Sequence, residues 1–351
     1  MNLPFFSKNN KIGIDIGSYS IKVIQSVLNS SNAYKIKSAG YKISPILLNN
    51  NILDVDDSLL SKAIIDLFKE NKIKGNKVFL TLSDPSIYLR HITIPSVPEN
   101  EIIKAIKWQA EKYIPFPIDE AIVDYQYLDP SSKHQSDNID IVLVAVRKDI
   151  INKYINILKN AHLYPCNINT TPFTIAHGFI KSSNTKKDKM IALVDIGYQS
   201  TFVTILKGSS LHFVKNINLG ISHLIHEIIR ANKLNKNETS SIINEIINLE
   251  SIQKYKYFPQ IEISLNYLIE DINRCFAYCE TASLCESIHE IELCGGGALL
   301  KNIDSYLKDK LNIPVNISYL FNSDFYNISI NNDINNIENA PCFLGAFGAT
   351  L

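Results

Sequence analysis

The chain lacks several features that would assign it to whole classes of protein. It has no excess of either charge, because Lys plus Arg and Asp plus Glu each number 35 and the formal net charge is zero. Bulk nucleic-acid binding needs an excess of basic side chains, so the sequence disfavours that class. No apolar run reaches the length of a membrane span, and the first residues lack the apolar core of a signal peptide. We therefore expect a cytoplasmic protein without a transmembrane segment, with residues 1–8 as a loose tail.

Cysteine pairs and the common catalytic motifs are also missing. The six cysteines contain no C-x-x-C spacing, and we expect them, including Cys275 and Cys279, to be small buried thiols in a reducing compartment. No P-loop motif, no G-x-G-x-x-G motif before the first helix and no G-x-S-x-G motif occurs. His223 and His226 lie three residues apart without an evident third ligand, so we expect no metal site there.

The clearest positive signal is a repeated tripeptide. Asp-Ile-Gly occurs at residues 15–17 and again at 195–197, each time after an apolar run and before a hydroxyl-rich turn. Both copies fit D-I-G-x-x-S followed by an apolar stretch that is typical of a β-strand. Each copy predicts a β-hairpin in which the glycine, Gly17 or Gly197, supplies a positive φ to a tight turn.

The two predicted turns indicate a ligand with negative charge. Main-chain N–H groups that converge at a turn form an anion site, and hydroxyl groups add hydrogen bonds to it. The carboxylates of Asp15 and Asp195 suit a hard cation such as Mg²⁺, held through water. A single turn of this kind is common in proteins that bind no nucleotide. Two copies in matching register favour a triphosphate and its metal held between two similar halves.

The other elements predict an α/β protein of about two domains. A third strand to residue 43, an amphipathic helix at 58–70 and a strand at 77–82 follow the first hairpin. Residues 83–161 read as a compact β-α-β-β-α unit, and 181–189 as a polar linker. After the second hairpin the pattern is helical over 237–285 with a break at 257–259, and the chain ends in a helix of small residues.

A glycine turn forms the third signal. Gly295, Gly296 and Gly297 follow an apolar strand and precede a predicted helix. A backbone without Cβ atoms can approach a flat ring or a ribose closely, and the start of a helix offers N–H groups to an anion. The simpler interpretation is a tight strand–helix junction. Lys22 has two interpretations as well, a point charge on a phosphate or an exposed strand lysine.

Together these motifs resemble the actin-like ATPase superfamily. Residues 15–22 are similar to its first phosphate motif, 195–201 to its second and 293–300 to its adenosine motif. Residues 83–161 lie where the FtsA branch carries an extra subdomain. Within that branch, residues 108–120, with Tyr-Ile-Pro-Phe-Pro at 113–117, followed by Asp124 and Tyr125, resemble the PilM family of type IV pilus assembly proteins.

The resemblance implies a two-lobed, duplicated, ribonuclease H-like α/β fold with an inserted subdomain. It divides the chain into a first core (1–82 and 162–189, with 340–351 packing back), the inserted subdomain (83–161), a second core (190–222 and 288–339) and a helical subdomain (223–287).

The resemblance also implies that ATP and Mg²⁺ bind in the cleft, with Asp15 and Asp195 near the metal through water and Arg274 at the family's basic position near the adenine. The implied cofactor-binding residues are Asp15, Gly17, Ser18, Tyr19, Ser20, Lys22, Asp195, Gly197, Tyr198, Ser200, Thr201, Gly220, Arg274, Gly295, Gly296 and Gly297. The implied partner is the N-terminal cytoplasmic tail of the membrane protein PilN, lying in a groove between the first lobe and the inserted subdomain and holding the protein at the inner membrane. Other pilus platform proteins and weak self-association are also implied.

Two departures from the family pattern point to slow or absent hydrolysis. Tyr198 stands where the family usually has a small residue, which would crowd the phosphates. Asn169 and Thr171 stand where relatives have acidic residues, and neither accepts a proton at neutral pH. We expect at most a weak ATPase.

Two alternatives remain open on the sequence. A sugar or acetate kinase-like phosphotransferase would need a catalytic carboxylate near the γ-phosphate, where Asn169 and Thr171 lie. An FtsA-like filament former is disfavoured because no amphipathic helix follows Gly348.

Overall fold

We describe the fold from a computed structural model. The structure describes residues 10–28, 34–48, 51–128, 138–182, 189–234, 239–247, 252–282, 284–318, 320, 328–330 and 337–351. Our expectations for the tail at 1–8 and for most of the linker at 181–189 lie outside these residues. Within them, no helix combines the length and apolar content that crossing a membrane requires.

The described strands and helices follow the alternating pattern of an α/β protein. The strands are β1 (Asn10–Ile16), β2 (Ser20–Leu28), β3 (Tyr34–Ile43), β4 (Lys77–Leu82), β5 (Tyr88–Pro95), β6 (Ala121–Tyr127), β7 (Asn138–Arg147), β8 (Tyr164–Thr170), β9 (Met190–Ile196), β10 (Thr201–Lys207), β11 (Ser210–Ile217), β12 (Glu290–Cys294), β13 (Val315–Ile317) and β14 (Ile328–Ile330). The helices are α1 (Asp57–Glu70), α2 (Glu99–Ala110), α3 (Lys148–Asn160), α4 (Thr171–Ser182), α5 (Ile221–Asn232), α6 (Thr239–Ile247), α7 (Phe258–Thr281), α8 (Ile303–Leu311) and α9 (Leu344–Gly348).

The chain forms two compact units. The first comprises Met1–Asp84, Ile150–Asn184 and Tyr319–Leu351, and the second comprises Pro85–Asp149 and Thr185–Ser318. The finer division into four subdomains that the resemblance implies stays a prediction.

Each unit contains a sheet of the same design. The strand order is β14-β3-β2-β1-β4-β8 in the first unit and β11-β10-β9-β12-β13 in the second. In both, an antiparallel hairpin (β1 with β2, β9 with β10) is continued by a parallel strand, β4 or β12. Both predicted hairpins and the predicted duplicated α/β fold are confirmed.

Helix α1 shows why the local pattern predicted its element well. The apolar positions expected to share a face are buried, among them Leu60, Ile64 and Leu67, because residues three and four apart lie on one side of a helix. The Asp56 side chain accepts a hydrogen bond from the Ser58 N–H at 2.8 Å and caps the first turn.

The inserted β-α-β-β-α elements occur in the predicted order and belong to the second unit up to Asp149. A three-stranded sheet has the order β5-β7-β6, so β6 lies at one edge. Helix α2 places Ile102, Ile106 and Ala110 against Ile141 and Leu143 of β7 in one apolar core. This core holds α2 on the sheet and fixes the residues that follow it.

Four of the described strands and helices were not predicted from the sequence: β8, α4 and the three-residue strands β13 and β14. No strand or helix was assigned to residues 164–182, yet β8 and α4 occupy them. Strand β8 lies at the sheet edge and has no apolar alternation, since most of its residues are exposed or half-buried. Helix α4 carries Pro172 in its first turn, where the missing N–H costs nothing, because the first N–H groups of a helix have no intrahelical partner.

Candidate functional site

The two Asp-Ile-Gly turns close with the same main-chain hydrogen bond. The Gly17 N–H donates to the Ser20 carbonyl at 3.1 Å, and the Gly197 N–H donates to the Ser200 carbonyl at 2.9 Å. Neither glycine has the positive φ that we expected, so that prediction is wrong. The glycines are favoured by close approach instead, because a Cβ on Gly197 would lie 2.8 Å from the Ser200 oxygen and one on Gly17 3.2 Å from the Ser20 oxygen.

Asp15 lies at the centre of a hydrogen-bonded cluster in the first unit. Its side chain is buried, with one oxygen 3.0 Å from the Lys22 Nζ and the other accepting a hydrogen bond from the Ser83 hydroxyl at 2.8 Å. Lys22 is opposite Asp15 in the hairpin register, which brings the two side chains to the same face. The charge of the buried carboxylate is therefore balanced within the hairpin.

The protonation of Lys22 follows from this pairing. Burial lowers the pKa of Lys22, but the charge of Asp15 and the hydrogen bond to it outweigh burial, so the net pKa is raised above its ordinary value. Lys22 is thus a permanent cation that contacts Asp15. Of its two interpretations, the exposed strand lysine is wrong, because only 12% of its side chain is exposed.

Ser83 was missed in the sequence and links the first turn to Thr171. The Ser83 and Thr171 hydroxyl oxygens lie 2.6 Å apart, and the Thr171 hydroxyl lies 3.1 Å from the Leu82 carbonyl. Ser83 follows β4, and the carboxyl ends of the parallel strands β1 and β4 meet at one edge, a pairing that local sequence patterns do not reveal. Thr171 therefore lies close to the first turn, as its place in the family pattern implied.

A second acidic residue follows Ser83. The Asp84 side chain is buried, with an oxygen 3.5 Å from the Tyr154 hydroxyl. Burial, and then the charges of Asp84 and Asp15, raise the pKa of Tyr154 well above its usual range. Tyr154 thus stays protonated, close to the first turn and the Asp15 carboxylate.

The second turn is held from below by the start of α5. The N–H groups of Ile221 and Ser222 donate to the Gly197 and Tyr198 carbonyls at 3.1 and 2.7 Å. A Cβ on Gly220 would lie 2.5 Å from the Tyr198 oxygen, so only glycine fits there. The Gly220 N–H donates to His223 Nδ1 at 3.2 Å, which makes His223 a capping residue of α5.

The glycine turn after β12 packs directly on the second turn. Gly295 has a φ of +79°, and a Cβ there would lie 2.2 Å from an Asp195 carboxylate oxygen, while one on Gly297 would lie 2.3 Å from the Ile196 side chain. Gly296 differs, because a Cβ there would meet no atom within 4 Å. Packing therefore explains two of the three glycines, and the third borders open space. Asp195 beside them is half-buried.

The remaining predicted residues are placed as follows. Ser20 and Ser200 are buried at the closing position of each turn, and the Thr201 hydroxyl donates to the Leu219 carbonyl at 2.7 Å. Tyr198 is 9% exposed, so its ring is packed within the protein. Burial raises the pKa of Tyr19, and the Tyr19 carbonyl accepts from the Ser44 N–H at 2.8 Å, while Ser18 is half-buried.

Arg274 lies on α7. It lines a cavity with residues of β5 and β11, and none of Gly295, Gly296 or Gly297 lines that cavity. Its guanidinium pairs with Asp271 at 2.8 Å and with Glu270 at 3.4 Å. A role near an adenine stays a prediction.

The cysteines correct part of our expectation. Cys279 and Cys285 form a disulfide pair with their Cα atoms 5.4 Å apart. The chain turns back after α7, where the Leu284 and Cys285 N–H groups donate to the Cys279 carbonyl, and this brings the two residues together. Cys166 is exposed, whereas Cys275, Cys294 and Cys342 are buried as expected.

The inserted subdomain carries a groove along the edge strand β6. The groove has a volume of about 500 Å³ and runs between α2, β6 and the start of α3. Trp108 and Ile122 line it and are exposed by 63% and 43%. The Lys112 Nζ lies 3.7 Å from the centre of the Trp108 ring, and the Lys148 Nζ donates to the Asp119 carbonyl at 2.6 Å. Apolar side chains and a strand edge thus border one surface channel.

Solved structures of other proteins are similar to this fold. The structure of a PilM–PilN type IV pilus biogenesis complex is similar with a TM-score of 0.80 and 22% identity, covering 97% of this chain and 97% of that chain. The ethanolamine utilisation protein EutJ from Carboxydothermus hydrogenoformans is similar with a TM-score of 0.56 and 10% identity, covering 100% of this chain and 91% of that chain. These likenesses, with the repeated sheet, establish the actin-like fold.

A family model supplies the assignment. The model described as type IV pilus assembly protein PilM matches residues 13–351, which includes both Asp-Ile-Gly turns, the inserted subdomain and the glycine turn. The chain belongs to the PilM family of type IV pilus assembly proteins.

Proposed function

We propose that this chain is an ATP-binding adaptor of the type IV pilus inner-membrane platform. It binds ATP and Mg²⁺, hydrolyses ATP slowly or not at all, and binds the N-terminal cytoplasmic tail of a PilN protein. The observation that carries the nucleotide proposal is the assembly of Asp195, Gly197, Gly220 and Gly295 around the second turn.

Open space above Gly296 supports an adenosine contact. Packing requires glycine at positions 295 and 297 of this turn. It does not require glycine at position 296, because a Cβ on Gly296 would meet no atom within 4 Å. A bare backbone there lets a ribose or a purine ring approach the main chain.

The donors for Mg²⁺ differ between the two turns. Both Asp15 oxygens already have partners in Lys22 and Ser83, so any ion at Asp15 would be held through water. Asp195 is half-buried beside the glycine turn, and a carboxylate suits a hydrated Mg²⁺ ion. The ion would neutralise phosphate charge, and Lys22 would add a fixed positive charge at the first turn.

Slow hydrolysis is supported by the neighbours of the first turn. The Thr171 hydroxyl contacts Ser83 and the Leu82 carbonyl, and Thr171 cannot act as a general base at neutral pH. Asn169 uses its own side-chain oxygen to accept a hydrogen bond from the Thr170 N–H at 2.8 Å. Neither side chain is available to orient a water molecule as a carboxylate would.

The groove on the inserted subdomain supports the partner proposal. An extended peptide gains main-chain hydrogen bonds at an edge strand such as β6, and its apolar side chains gain contacts with Trp108 and Ile122. A large exposed aromatic beside an open strand edge is the kind of residue that dominates binding energy at interfaces. We propose that the inserted subdomain contacts the PilN tail through this groove.

Calorimetry with ATP and Mg²⁺ tests the nucleotide site. We expect saturable binding of ATP that is weakened about tenfold or more by Gly296→Val, whose side chain enters the open space, and by Asp195→Asn. Asp304→Asn is the matched control, because Asp304 is also half-buried but lies in the first turn of α8. The nucleotide proposal fails if wild-type protein takes up no ATP, or if the Asp304 variant loses as much affinity as the Asp195 variant.

A phosphate-release assay tests turnover. With saturating ATP we expect release no faster than about one per minute, well below the ~10 s⁻¹ that is typical of enzymes. Thr171→Glu restores an acidic side chain at the position where relatives carry one, and an increase in release with this variant would support the assignment of the missing acid. Rapid wild-type release would contradict it.

Tryptophan fluorescence tests the partner groove directly. The chain has a single tryptophan, and that residue is Trp108, so its emission should shift to the blue when a synthetic PilN N-terminal peptide covers it. We expect Trp108→Ala and Ile122→Asp to weaken binding of a labelled peptide about tenfold or more by anisotropy. Tyr267→Ala is the control, since Tyr267 is an aromatic on α7 with 59% exposure. Absence of binding at micromolar peptide, or an unchanged affinity in both groove variants, would overturn the placement.

A further inference from the structure

A second cavity in the second unit has no role in the proposed nucleotide or partner contacts. It has a volume of about 660 Å³ and lies between β5, β11 and α7. None of the hairpin-turn residues and none of the three turn glycines lines it. Its volume lies in the range of small-ligand sites.

The lining of this cavity carries an excess of positive charge. Arg90, Lys215 and Arg274 line it, against one acidic residue, Asp271. Asp271 and Glu270 neutralise part of the Arg274 charge through ion pairs at 2.8 and 3.4 Å, whereas Lys215 is exposed and forms no ion pair with any residue that the structure describes. Three cationic side chains from three separate elements line one cavity. Cations that serve only to be solvated need not converge, so their convergence favours an anionic ligand.

Arg90 is held in place by aromatic residues. Its guanidinium lies 4.2 Å from the centre of the Tyr113 ring and donates to the Tyr88 hydroxyl at 3.2 Å. The hydrogen bond to Tyr88 raises the pKa of Arg90, and Tyr278 of α7 adds to this from across the cavity. Arg90 is therefore a fixed, permanent charge on one wall.

A ring on the opposite wall offers a flat apolar contact. Tyr278 is 51% exposed, and its ring packs on Phe213 with 5.8 Å between ring centres. Tyr278 lies four residues after Arg274 on α7, so both side chains lie on the same helix face. A rigid ring beside a guanidinium suits a ligand that has an aromatic part next to an anionic group.

We infer that this cavity binds a small organic anion, whose carboxylate, phosphate or sulfonate group contacts Arg274 and Lys215 and whose flat apolar part lies against Tyr278. The site is separate from the proposed nucleotide site and does not depend on it.

Anilinonaphthalene sulfonate, a flat fluorescent anion, is a suitable probe for the full-length protein. In the presence of saturating ATP and Mg²⁺ we expect one saturable class of probe with enhanced emission, displaced by millimolar inorganic phosphate. Arg274→Gln and Lys215→Gln should each weaken the probe about tenfold, the usual effect of losing a hydrogen bond to a charged group.

Arg230→Gln is the matched control. Arg230 lies on α5, pairs with Glu227 three residues before it and is 78% exposed, whereas Arg274 pairs with Asp271 three residues before it and is 73% exposed. The control should bind the probe as the wild type does. The inference is overturned if no probe binds, if ATP displaces the probe, or if the Arg230 variant weakens it as much as the Arg274 variant; circular dichroism checks that each variant is folded.

Discussion

The two Asp-Ile-Gly turns are alike in sequence and in hydrogen bonding, yet each is held in a different way. The first turn is held by side chains, because Asp15 is paired with Lys22 and receives the Ser83 hydroxyl. In the second hairpin the residue opposite Asp195 is Phe202 rather than a lysine, and main chain packed on glycines contributes to holding the turn. A duplicated fold has thus kept the shape of the turn while changing what holds it.

The largest expected difference concerns the two aspartates. Asp15→Asn leaves Lys22 mostly buried without its counter-charge, which costs about 3–5 kcal/mol of unfolding free energy, whereas Asp195→Asn at a half-buried position costs under about 1 kcal/mol. Urea denaturation followed by circular dichroism at pH 7 measures both. Adding Lys22→Met to Asp15→Asn should recover part of the loss, and equal losses for the two single variants would abolish the distinction.

The glycines give the next effect. Gly220→Ala forces a Cβ to within 2.5 Å of the Tyr198 carbonyl, which should cost about 2–3 kcal/mol because backbone must move. In Gly17→Ala the Cβ would lie 3.1 Å from the Lys22 Nζ and 3.2 Å from the Ser20 carbonyl oxygen. These approaches are less severe, so the expected loss of unfolding free energy is about 1 kcal/mol. The same urea experiment compares them, and a larger loss for the Gly17 variant would refute the main-chain account of the second turn.

The residues that follow the parallel strand next to each hairpin also differ between the two units. In the parallel registers Asp15 faces Thr81 and Asp195 faces Cys294, so Ser83 of the first unit corresponds to Gly296 of the second. Ser83→Ala removes a hydrogen bond to Asp15 and should cost about 1.5 kcal/mol, while Gly296→Ala adds a methyl group in open space and should cost under about 0.5 kcal/mol. Thermal unfolding measures the stability of both variants. A marked loss of stability in the Gly296 variant would contradict the interpretation that position 296 borders open space.

The smallest effect depends on pH and arises in the second sheet. In the same registers Glu292 corresponds to Phe79 of the first unit. Burial raises the pKa of Glu292 from 4.5 to about 7. The folded state therefore binds more protons than the unfolded state between these values, so stability falls as pH rises from about 4.5 to about 7. Because the side chain is partly exposed, the expected change in unfolding free energy is about 1 kcal/mol. Glu292→Gln should remove this pH dependence in urea titrations at pH 5 and pH 8, and an unchanged pH dependence in that variant would contradict it.

The comparison also shows which features local sequence patterns could reveal. Both hairpins, α1 and the order of the inserted elements were predictable, because alternation and helical spacing act over a few residues. The Ser83–Thr171 contact and the cover of Asp195 by Gly295 were not, since they join residues far apart in the chain. The wrong expectation of positive φ at Gly17 and Gly197 has the same origin. Glycine is favoured there because a carbonyl oxygen lies close to where a Cβ would be, and the sequence alone does not give the position of that oxygen.

Helix α9 bears on the order in which the chain can be completed during translation. A Cβ on Gly13 would lie 1.9 Å from the Ala346 carbonyl, and the Thr81 hydroxyl donates to the Gly345 carbonyl at 2.9 Å, so α9 rests on β1 and β4 directly below Asp15. The ribosome makes those strands early and α9 hundreds of residues later, whereas residues 185–318 of the second unit emerge as one stretch. The first turn thus gains the support of α9 only after residues 185–318 of the second unit have been synthesised.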